Sequence, residues 1–245
     1  MARLDQQESA ETSGIGSHPD RATPPFHEGQ RLDQPAFHEL YSTMPEGFRA
    51  ELIDGVVYLM NRPVFEDHGR PDLELGGLLY LYSVETPGVH PYSNTSTILG
   101  PRSEVQPDSA LLIDPACGGQ TFRDARGCTN RCPEFVVEIA SSSHRRDLNT
   151  KKKVYEEAGA LEYLVFDVVH PKFHWFALRE GRFKPLDADA DGVYRSRALP
   201  GFRLDAAAFV RGDQRAVVAT LRRGLESPEH ATFVDGLAQY RANRP

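Results

Sequence analysis

The sequence predicts an α/β fold: a mixed β-sheet core flanked by helices, with an extra N-terminal β-hairpin and C-terminal helices. An apolar run at residues 134–140 is followed by an amphipathic segment at 147–158 and a second apolar run at 161–169. This is the order of a βαβ crossover. With 40% hydrophobic residues among 245, the chain is long enough to bury one well-packed core.

The elements follow from their periodicity. Residues 34–42 have helical spacing, 50–60 form a hairpin around the turn Asp54-Gly55, and 67–83 form a helix. Gly76 and Gly77 inside that helix predict close packing or a break. The remaining strands are predicted at 89–99, 104–113, 134–140, 161–169, 172–179, 182–186 and 192–198.

The domain is predicted to span residues 31–210. Residues 1–30 are polar and rich in Gly, Pro and Ser, which predicts a disordered tail. Residues 211–245 carry apolar stripes typical of a helical extension that packs on the domain or forms a dimer contact. No apolar run approaches the roughly 20 residues needed to cross a bilayer, and the first residues lack a signal-peptide core. We therefore expect a cytoplasmic protein that makes no membrane contact.

Three charged residues stand out against this background. Asp108 follows Pro107 at the head of an apolar run, and Glu138 lies inside a run of strand-forming residues. Lys151 is four residues past Asp147 on the predicted helix. An ionised carboxylate among Val and Ile is costly unless a cation, a proton or a donor satisfies it. A divalent metal shared by Asp108 and Glu138 would do so.

Two carboxylates on adjacent strands plus a lysine suit metal-assisted phosphodiester hydrolysis. Hard oxygen ligands hold Mg²⁺ or Mn²⁺, and the ion polarises the phosphate and acidifies a water. An ammonium orients that water or neutralises developing charge. The residues therefore predict hydrolysis of a nucleic-acid backbone.

Five sequence blocks, in order, resemble the Uma-two-type restriction endonucleases, a family of the PD-(D/E)XK nuclease superfamily. The resemblance runs from about residue 30 to about residue 210 and closes with a further block at 199–205. The five blocks are ELIDG at 51–55, EVQPD at 104–108, VEIAS at 137–141, Asp147-Leu148 with Lys151 and Tyr155, and AGALEY at 158–163.

The resemblance implies a restriction-endonuclease-like fold and a DNA endonuclease that uses Mg²⁺ or Mn²⁺. Asp108 and Glu138 would be the metal-binding acids, and Glu51 a further carboxylate at the same catalytic site. The simplest superfamily pattern has its lysine two residues after the second acid, where this chain has Ala140. The matching lysine is then Lys151, from the following helix.

A basic run surrounds this lysine. Arg145, Arg146, Lys152 and Lys153 are predicted DNA-binding residues if their face lines the cleft, although a solvated helix face is the other interpretation. Lys152 and Lys153 are also alternatives to Lys151. The net charge of −7 argues against bulk electrostatic binding of nucleic acid, so local charge would have to suffice.

Each site residue also has a structural interpretation. Lys151 could form a helix ion pair with Asp147, Glu51 could face solvent on an edge strand, Asp108 could cap a turn, and Glu138 could form a buried ion pair. The alternative functions are a catalytically inactive module that binds nucleic acid or protein, and a phosphodiesterase acting on RNA. A homodimer would suit cleavage of both DNA strands.

His68 and three cysteines complete the candidates. His68, near the start of the 67–83 helix, is expected to cap the helix or face solvent, with the cleft as the alternative. Cys117, Cys128 and Cys132 are expected to be reduced thiols, because the count is odd and the chain lacks a matching His pair at ligand spacing. A zinc shared by Cys128 and Cys132 with a distant ligand is the alternative.

Overall fold

The computed structural model describes residues 27–60, 63–141 and 143–244. Their strands form two six-stranded mixed sheets and one two-stranded sheet. The helices are α1 Gln34–Tyr41, α2 Glu66–Val84, α3 Lys152–Ala158, α4 Ala206–Val210, α5 Gln214–Leu225 and α6 Pro228–Ala242, with a 3₁₀ turn at Pro115–Cys117 and a π-helix at Arg146–Lys151. The strands are β1 Ala50–Ile53, β2 Val56–Leu59, β3 Val89–Ser93, β4 Thr97–Ile98, β5 Glu104–Val105, β6 Ser109–Ile113, β7 Phe122–Arg123, β8 Thr129–Asn130, β9 Phe135–Ala140, β10 Glu162–Asp167, β11 Lys172–Arg179, β12 Arg182–Pro185, β13 Val193–Arg195 and β14 Arg203–Asp205.

The central sheet has the order β12-β11-β10-β9-β6-β3. β9 and β10 are parallel and are joined through α3, which confirms the predicted crossover. Because side chains alternate along a strand, β9 has two faces. Val137 and Ile139 join the core formed with α2 and the C-terminal helices, whereas Val136 and Ala140 join a second core formed with α3 and β1. Glu138 belongs to the second face.

The second sheet has the order β2-β1-β5-β4-β8-β7 and contains the predicted hairpin at 50–60. Two predicted strands were wrong in extent, because each is divided between the two sheets. Residues 89–99 give β3 and β4, and residues 104–113 give β5 and β6. Pro107 lacks an N–H for a ladder, so the chain leaves one sheet there and enters the other. Asp108 lies at this crossing point.

α2 is continuous through Gly76 and Gly77 and packs closely on β6. A Cβ at Gly76 would lie 3.3 Å from Ser109 Oγ, so the glycine permits the close approach. Close packing is therefore the correct interpretation at Gly76, whereas a Cβ at Gly77 would meet no atom within 4 Å. The close packing brings the first turns of α2 over the start of β6.

The α-helix predicted at 147–158 was wrong at its start, where the structure has a π-helix. Residues 146–151 form a π-helix, and the α-helix begins only at Lys152. Such π segments are uncommon and occur frequently at functional sites. Gly159 ends α3 in the left-handed conformation, at φ 83°.

The C-terminal helices pack on the domain. Val217 and Leu221 of α5 and Leu237 of α6 lie in the larger hydrophobic core. The predicted strand at 192–198 is shorter in the structure, as β13, and pairs with β14. No helix in the described ranges is both long and apolar enough to cross a bilayer. Of the predicted tail, residues 1–26 lie outside the described residues, and Gly29 N donates to Val57 O at 2.9 Å.

Candidate active site

Lys151 joins two carboxylates that are far apart in sequence. Its side chain is 2% exposed, and its Nζ lies 2.7 Å from Glu138 Oε1 and 3.1 Å from Glu51 Oε1. Glu138 comes from the middle of β9, Glu51 from β1, and Lys151 from the last residue of the π-helix above them. The structure therefore brings together three of the four predicted catalytic residues by direct contact.

Glu138 has a second donor. Tyr155 OH, one turn along α3 from Lys151, donates to the same Oε1 at 2.9 Å. Residues four apart on a helix share a face, so Lys151 and Tyr155 reach down to the sheet together. The buried-ion-pair interpretation of Glu138 is confirmed, since the carboxylate is 3% exposed and its partner is Lys151.

Glu51 is fully buried, so the interpretation in which it faces solvent is wrong. Its Oε1 accepts from Gln106 N at 2.8 Å as well as from Lys151. Its Oε2 is shielded from solvent and has no hydrogen-bond partner among residues 27–60, 63–141 and 143–244. A buried carboxylate oxygen without a donor is costly, so this atom requires a cation or a proton.

Asp108 lies beside the Glu138 strand. Its Oδ2 accepts from the backbone N–H of Ile139 at 2.8 Å, and His68 Nε2 lies 3.5 Å from the same atom. Asp108 therefore accepts a hydrogen bond from the neighbouring strand, in place of the turn cap that was its alternative interpretation. His68 reaches the cleft from the first turns of α2, against the expectation of a cap or surface role. Its Nδ1 is buried and unpaired within the described chain.

The electrostatics of the site are dominated by negative charge. Burial raises the pKa of Glu138 well above its ordinary value, and Lys151 offsets this only in part. Burial lowers the pKa of Lys151, but Glu138, Glu51, Asp147 and Asp108 outweigh it, so the pKa is raised and the ammonium stays charged. Four carboxyl groups thus interact electrostatically with one lysine, two of them by direct contact. A divalent cation would favour the ionised form of these groups.

Asp108 and His68 support each other's charged form. Burial raises the pKa of Asp108, but the bond to His68 and the charge of Lys151 more than offset it, so the pKa is lowered. The bond to Asp108 raises the pKa of His68. One helical turn further along α2, burial and the charge of Asp108 raise the pKa of Asp72 to about 6. Sequence reasoning missed Asp72, although its i+4 spacing from His68 places both on one face.

Asp147 does not form the helix ion pair that was the alternative interpretation of Lys151. Its Oδ2 accepts from Ser143 Oγ, and its backbone carbonyl accepts from Tyr163 OH at 2.9 Å. Burial raises the pKa of its carboxyl. The ion pairs of Lys151 go to Glu51 and Glu138 instead.

The four predicted DNA-binding residues have different surroundings. Arg145 is exposed. The Arg146 guanidinium stacks on Tyr58, with Cζ 4.8 Å from the ring centroid. Lys152 Nζ lies 3.9 Å from the centroid of Phe176, and Lys153 is exposed.

Arg146 is the member of this set that adjoins the acids. Tyr58 is the cross-strand partner of Glu51 in the β1–β2 hairpin. Directly opposed residues of an antiparallel pair share a face of the sheet. Since Arg146 covers Tyr58, it lies over the hairpin face that carries Glu51.

The cysteines are free thiols, as expected. Cys132 is fully buried in the core with Val136 and Tyr155, whereas Cys128 Sγ lies 4.0 Å from His38 Nε2. Cys128 groups with His38 and Glu104 rather than with Cys132. The alternative of a zinc shared by Cys128 and Cys132 is therefore unsupported.

Among the described residues, Asp108, Glu138 and Glu51 do not form a group whose ligand atoms all lie within 4.8 Å of one another, so the observation that bears on a divalent metal here is the unpaired oxygen of Glu51. Glu51 Oε2 has no donor among the described side chains, and carboxylate oxygen is the ligand that Mg²⁺ and Mn²⁺ prefer. Asp108, Glu138 and Glu51 are the residues that would hold such a metal. Lys151 alone cannot balance the surrounding carboxylates.

Glu138 from the central sheet, Glu51 from the second sheet and Lys151 from the π-helix meet in a mixed α/β fold. The sequence pattern of the Uma2 family, described as "Putative restriction endonuclease", matches residues 35–207. The chain belongs to this family, as its sequence blocks predicted.

Comparison with solved structures supports the fold. The chain is similar to "a putative nuclease belonging to DUF820" from Anabaena variabilis ATCC 29413, with a TM-score of 0.52 and 12% identity over 75% of this chain and 97% of that chain. At this identity the likeness concerns the fold alone. Comparison with curated proteins gave no match.

Proposed function

We propose that the protein is a Mg²⁺- or Mn²⁺-dependent endonuclease that hydrolyses DNA phosphodiester bonds. The observation that carries the proposal is the contact of Lys151 with Glu51 and Glu138 in a buried site to which Asp108 is electrostatically coupled. Membership of a family described as "Putative restriction endonuclease" supports the same reaction class.

Asp108, Glu138 and Glu51 would hold the metal ion. The ion would supply Lewis acidity to the phosphate and lower the pKa of a water. The Ile139 N–H and His68 keep the Asp108 carboxylate ionised and oriented. Tyr155 OH orients Glu138 by donating to its Oε1 at 2.9 Å.

Lys151 would act as a fixed positive charge rather than as a base. Its pKa is raised by the surrounding carboxylates, so it does not release its proton near neutral pH. A charged ammonium can orient the attacking water and stabilise charge that develops on the phosphate. Lys151 is proposed for this role ahead of Lys152 and Lys153, which make other contacts.

Arg146 is the best-supported DNA contact. It lies over the hairpin face that bears Glu51, and its Nε has no partner among the described residues. A guanidinium so placed can bind a backbone phosphate next to the cleavage point. Arg145, Lys152 and Lys153 are proposed to add positive charge along the same DNA path.

The direct test is nicking of supercoiled plasmid in Mg²⁺ or Mn²⁺, with EDTA as the blank. Asp108→Asn and Glu138→Gln should lower the rate by at least about 100-fold. The control is Glu157→Gln, which changes an exposed acid on α3 and should cleave DNA at the wild-type rate. Equal nicking by all forms would point to a contaminant and contradict the proposal.

The same assay separates the alternatives. Cleavage of single-stranded RNA without cleavage of DNA would favour the RNA phosphodiesterase. Binding of DNA with no cleavage in either metal would favour the catalytically inactive module.

A further inference from the structure

A second group of metal-binding side chains lies at the end of the β9–β10 pair. It consists of Asp167, the last residue of β10, and three histidines around it. His144 comes from the helical turn before the π-helix, His170 from the β10–β11 turn, and His174 from β11. These four residues are called the histidine cluster below.

The histidine rings converge on one carboxylate. His144 Nδ1 lies 3.3 Å from Asp167 Oδ1, and His170 Nδ1 lies 3.3 Å from Asp167 Oδ2. His174 Nε2 lies 3.9 Å from Asp167 Oδ2. The carboxylate itself is fully buried, and its Oδ1 also accepts from the backbone N–H groups of Val169 and His170.

Hydrogen bonding accounts for only part of this arrangement. His170 Nδ1 is within hydrogen-bond distance of Asp167 Oδ2 at 3.3 Å, whereas His174 Nε2 lies 3.9 Å from that atom. His144 Nδ1 and His174 Nε2 are shielded from solvent and have no hydrogen-bond partner among the described residues. Two buried, unpaired ring nitrogens that face one buried carboxylate need a shared partner.

The spacing fits a metal ion. With Zn–N and Zn–O bonds of about 2.0–2.2 Å and tetrahedral angles, adjacent ligand atoms lie about 3.3–3.5 Å apart. The two distances of 3.3 Å, which involve different oxygens of Asp167, are of this size. His144, Asp167 and His170 each offer a ligand atom within 4.8 Å of the other two, and His174 Nε2 lies beside this group, 3.9 Å from Asp167 Oδ2.

We propose that Asp167, His144, His170 and His174 form a structural Zn²⁺ site. Imidazole nitrogen suits zinc, whereas the all-oxygen preference of Mg²⁺ does not match three histidines. The ion would tie the helical turn bearing His144 to the end of the central sheet. Lys151 lies seven residues further along that helical segment. Zinc binding would therefore hold in place the start of the helical segment that supplies Lys151 to the candidate active site.

This inference does not depend on the proposed nuclease activity, because zinc binding is measured without DNA. The metal-stripped protein is titrated with ZnCl₂ by calorimetry in excess Mg²⁺, and Co²⁺ is used as a spectroscopic probe. We expect one Zn²⁺ per chain, a tetrahedral Co²⁺ spectrum, and a higher Tm with zinc. Glu138→Gln should bind zinc as the wild type does, whether or not the protein cleaves DNA.

Single substitutions locate the site. His170→Ala is the main variant, because its ring is 70% exposed and its loss should not impair folding. It should weaken zinc binding by at least about tenfold, and His170→Ala combined with His174→Ala should abolish it. His90→Ala is the matched control, since His90 also faces a single carboxylate, with Nε2 3.4 Å from Asp114 Oδ2.

Two results would overturn the proposal. One is zinc affinity that is unchanged in His170→Ala and in the double variant. The other is zinc binding that is lost in Cys128→Ser, which would locate the ion at the cluster of Cys128 with His38 and Glu104 instead.

Discussion

Lys151 and Glu138 form a buried ion pair, with 2.7 Å between Nζ and Oε1, in which both side chains are less than 5% exposed. Glu51 is the second partner of the same ammonium. Desolvating three charged groups is expensive, and a protein retains such an arrangement when the geometry satisfies them or when function requires them. The orphaned Oε2 of Glu51 shows that, among the described residues, the protein alone does not complete this network.

Lys151→Met should destabilise the fold strongly. Removing the ammonium leaves Glu51 and Glu138 buried without their counter-ion, which costs about 3–5 kcal/mol of unfolding free energy. Burial raises the pKa of Glu138, and a carboxyl with a raised folded-state pKa loses its stabilising contribution as pH rises. The loss of unfolding free energy caused by Lys151→Met should therefore be larger at pH 8 than at pH 5, as measured by urea denaturation.

The control for this variant is Lys153→Met. Lys153 lies two residues away, and its exposed pair with Glu157 spans 3.6 Å. Its removal should change stability by no more than about 0.5 kcal/mol. Equal losses in the two variants would contradict the buried network.

Tyr155→Phe should weaken the same network by a smaller amount. The change removes the hydroxyl that donates to Glu138 Oε1 and leaves the ring packing intact. We expect a loss of about 1.5–3 kcal/mol of unfolding free energy in urea denaturation, the range for a hydrogen bond to a charged group. Tyr80→Phe, at an exposed ring, should have no measurable effect. If Tyr155→Phe left the unfolding free energy unchanged, Glu138 would be held by Lys151 alone.

The pKa of His68 should lie above its ordinary value of 6.5, because the ring donates a hydrogen bond to Asp108. A raised histidine pKa contributes stability that is complete below the unfolded-state pKa and is lost as pH rises through the folded-state pKa. The cost of His68→Ala should therefore be greater at pH 6 than at pH 9. NMR titration of the ring should show the pKa fall in Asp108→Asn. An unchanged His68 pKa in Asp108→Asn would rule out the interaction between His68 and Asp108.

Asp72 should titrate near pH 6, because burial and the charge of Asp108 oppose its ionisation. A raised carboxyl pKa means that stability is lost as pH rises from about 4 through 6. Asp72→Asn should remove that loss, so the variant should be more stable than the wild type at pH 8 and similar at pH 4. Thermal denaturation across this range is the measurement. A variant that is less stable at pH 8 would contradict the assignment.

Divalent metal should stabilise the protein through Glu51. A ligand that binds the folded state alone at 100 times its Kd adds about 2.7 kcal/mol. Mg²⁺ or Mn²⁺ should raise the Tm of the wild type, and Glu51→Gln should reduce this shift, because an amide replaces the unpaired carboxylate oxygen. Glu157→Gln should keep the full shift. Identical shifts in all three proteins would mean that Glu51 takes no part in metal binding.

The sequence predicted much of the site, because strand alternation and helix spacing are local properties. The two-residue period placed Glu138 on one face of β9, and the step of four along the helix placed Lys151 and Tyr155 together above it. The π-helix had no such local signal, since its residues also suit an α-helix.

The features that sequence reasoning missed depend on tertiary packing. His68 and Asp72 reach Asp108 only because Gly76 lets α2 approach β6 closely. The division of residues 104–113 between two sheets follows from the long-range pairing of β5 with β1 and of β6 with β9. The histidine cluster joins an element before the π-helix to residues at the end of β10 and on β11, a spacing that matches no motif.

The most direct test of the nuclease is the rate of plasmid nicking by Lys151→Met and Lys153→Met at equal folded concentration, over a range of Mg²⁺ and Mn²⁺. Metal-dependent cleavage by the wild type and by Lys153→Met, with a loss of at least about 100-fold in Lys151→Met, is the predicted result. Equal cleavage by the two variants would show that the buried lysine supports the fold alone and would contradict the catalytic role proposed for it.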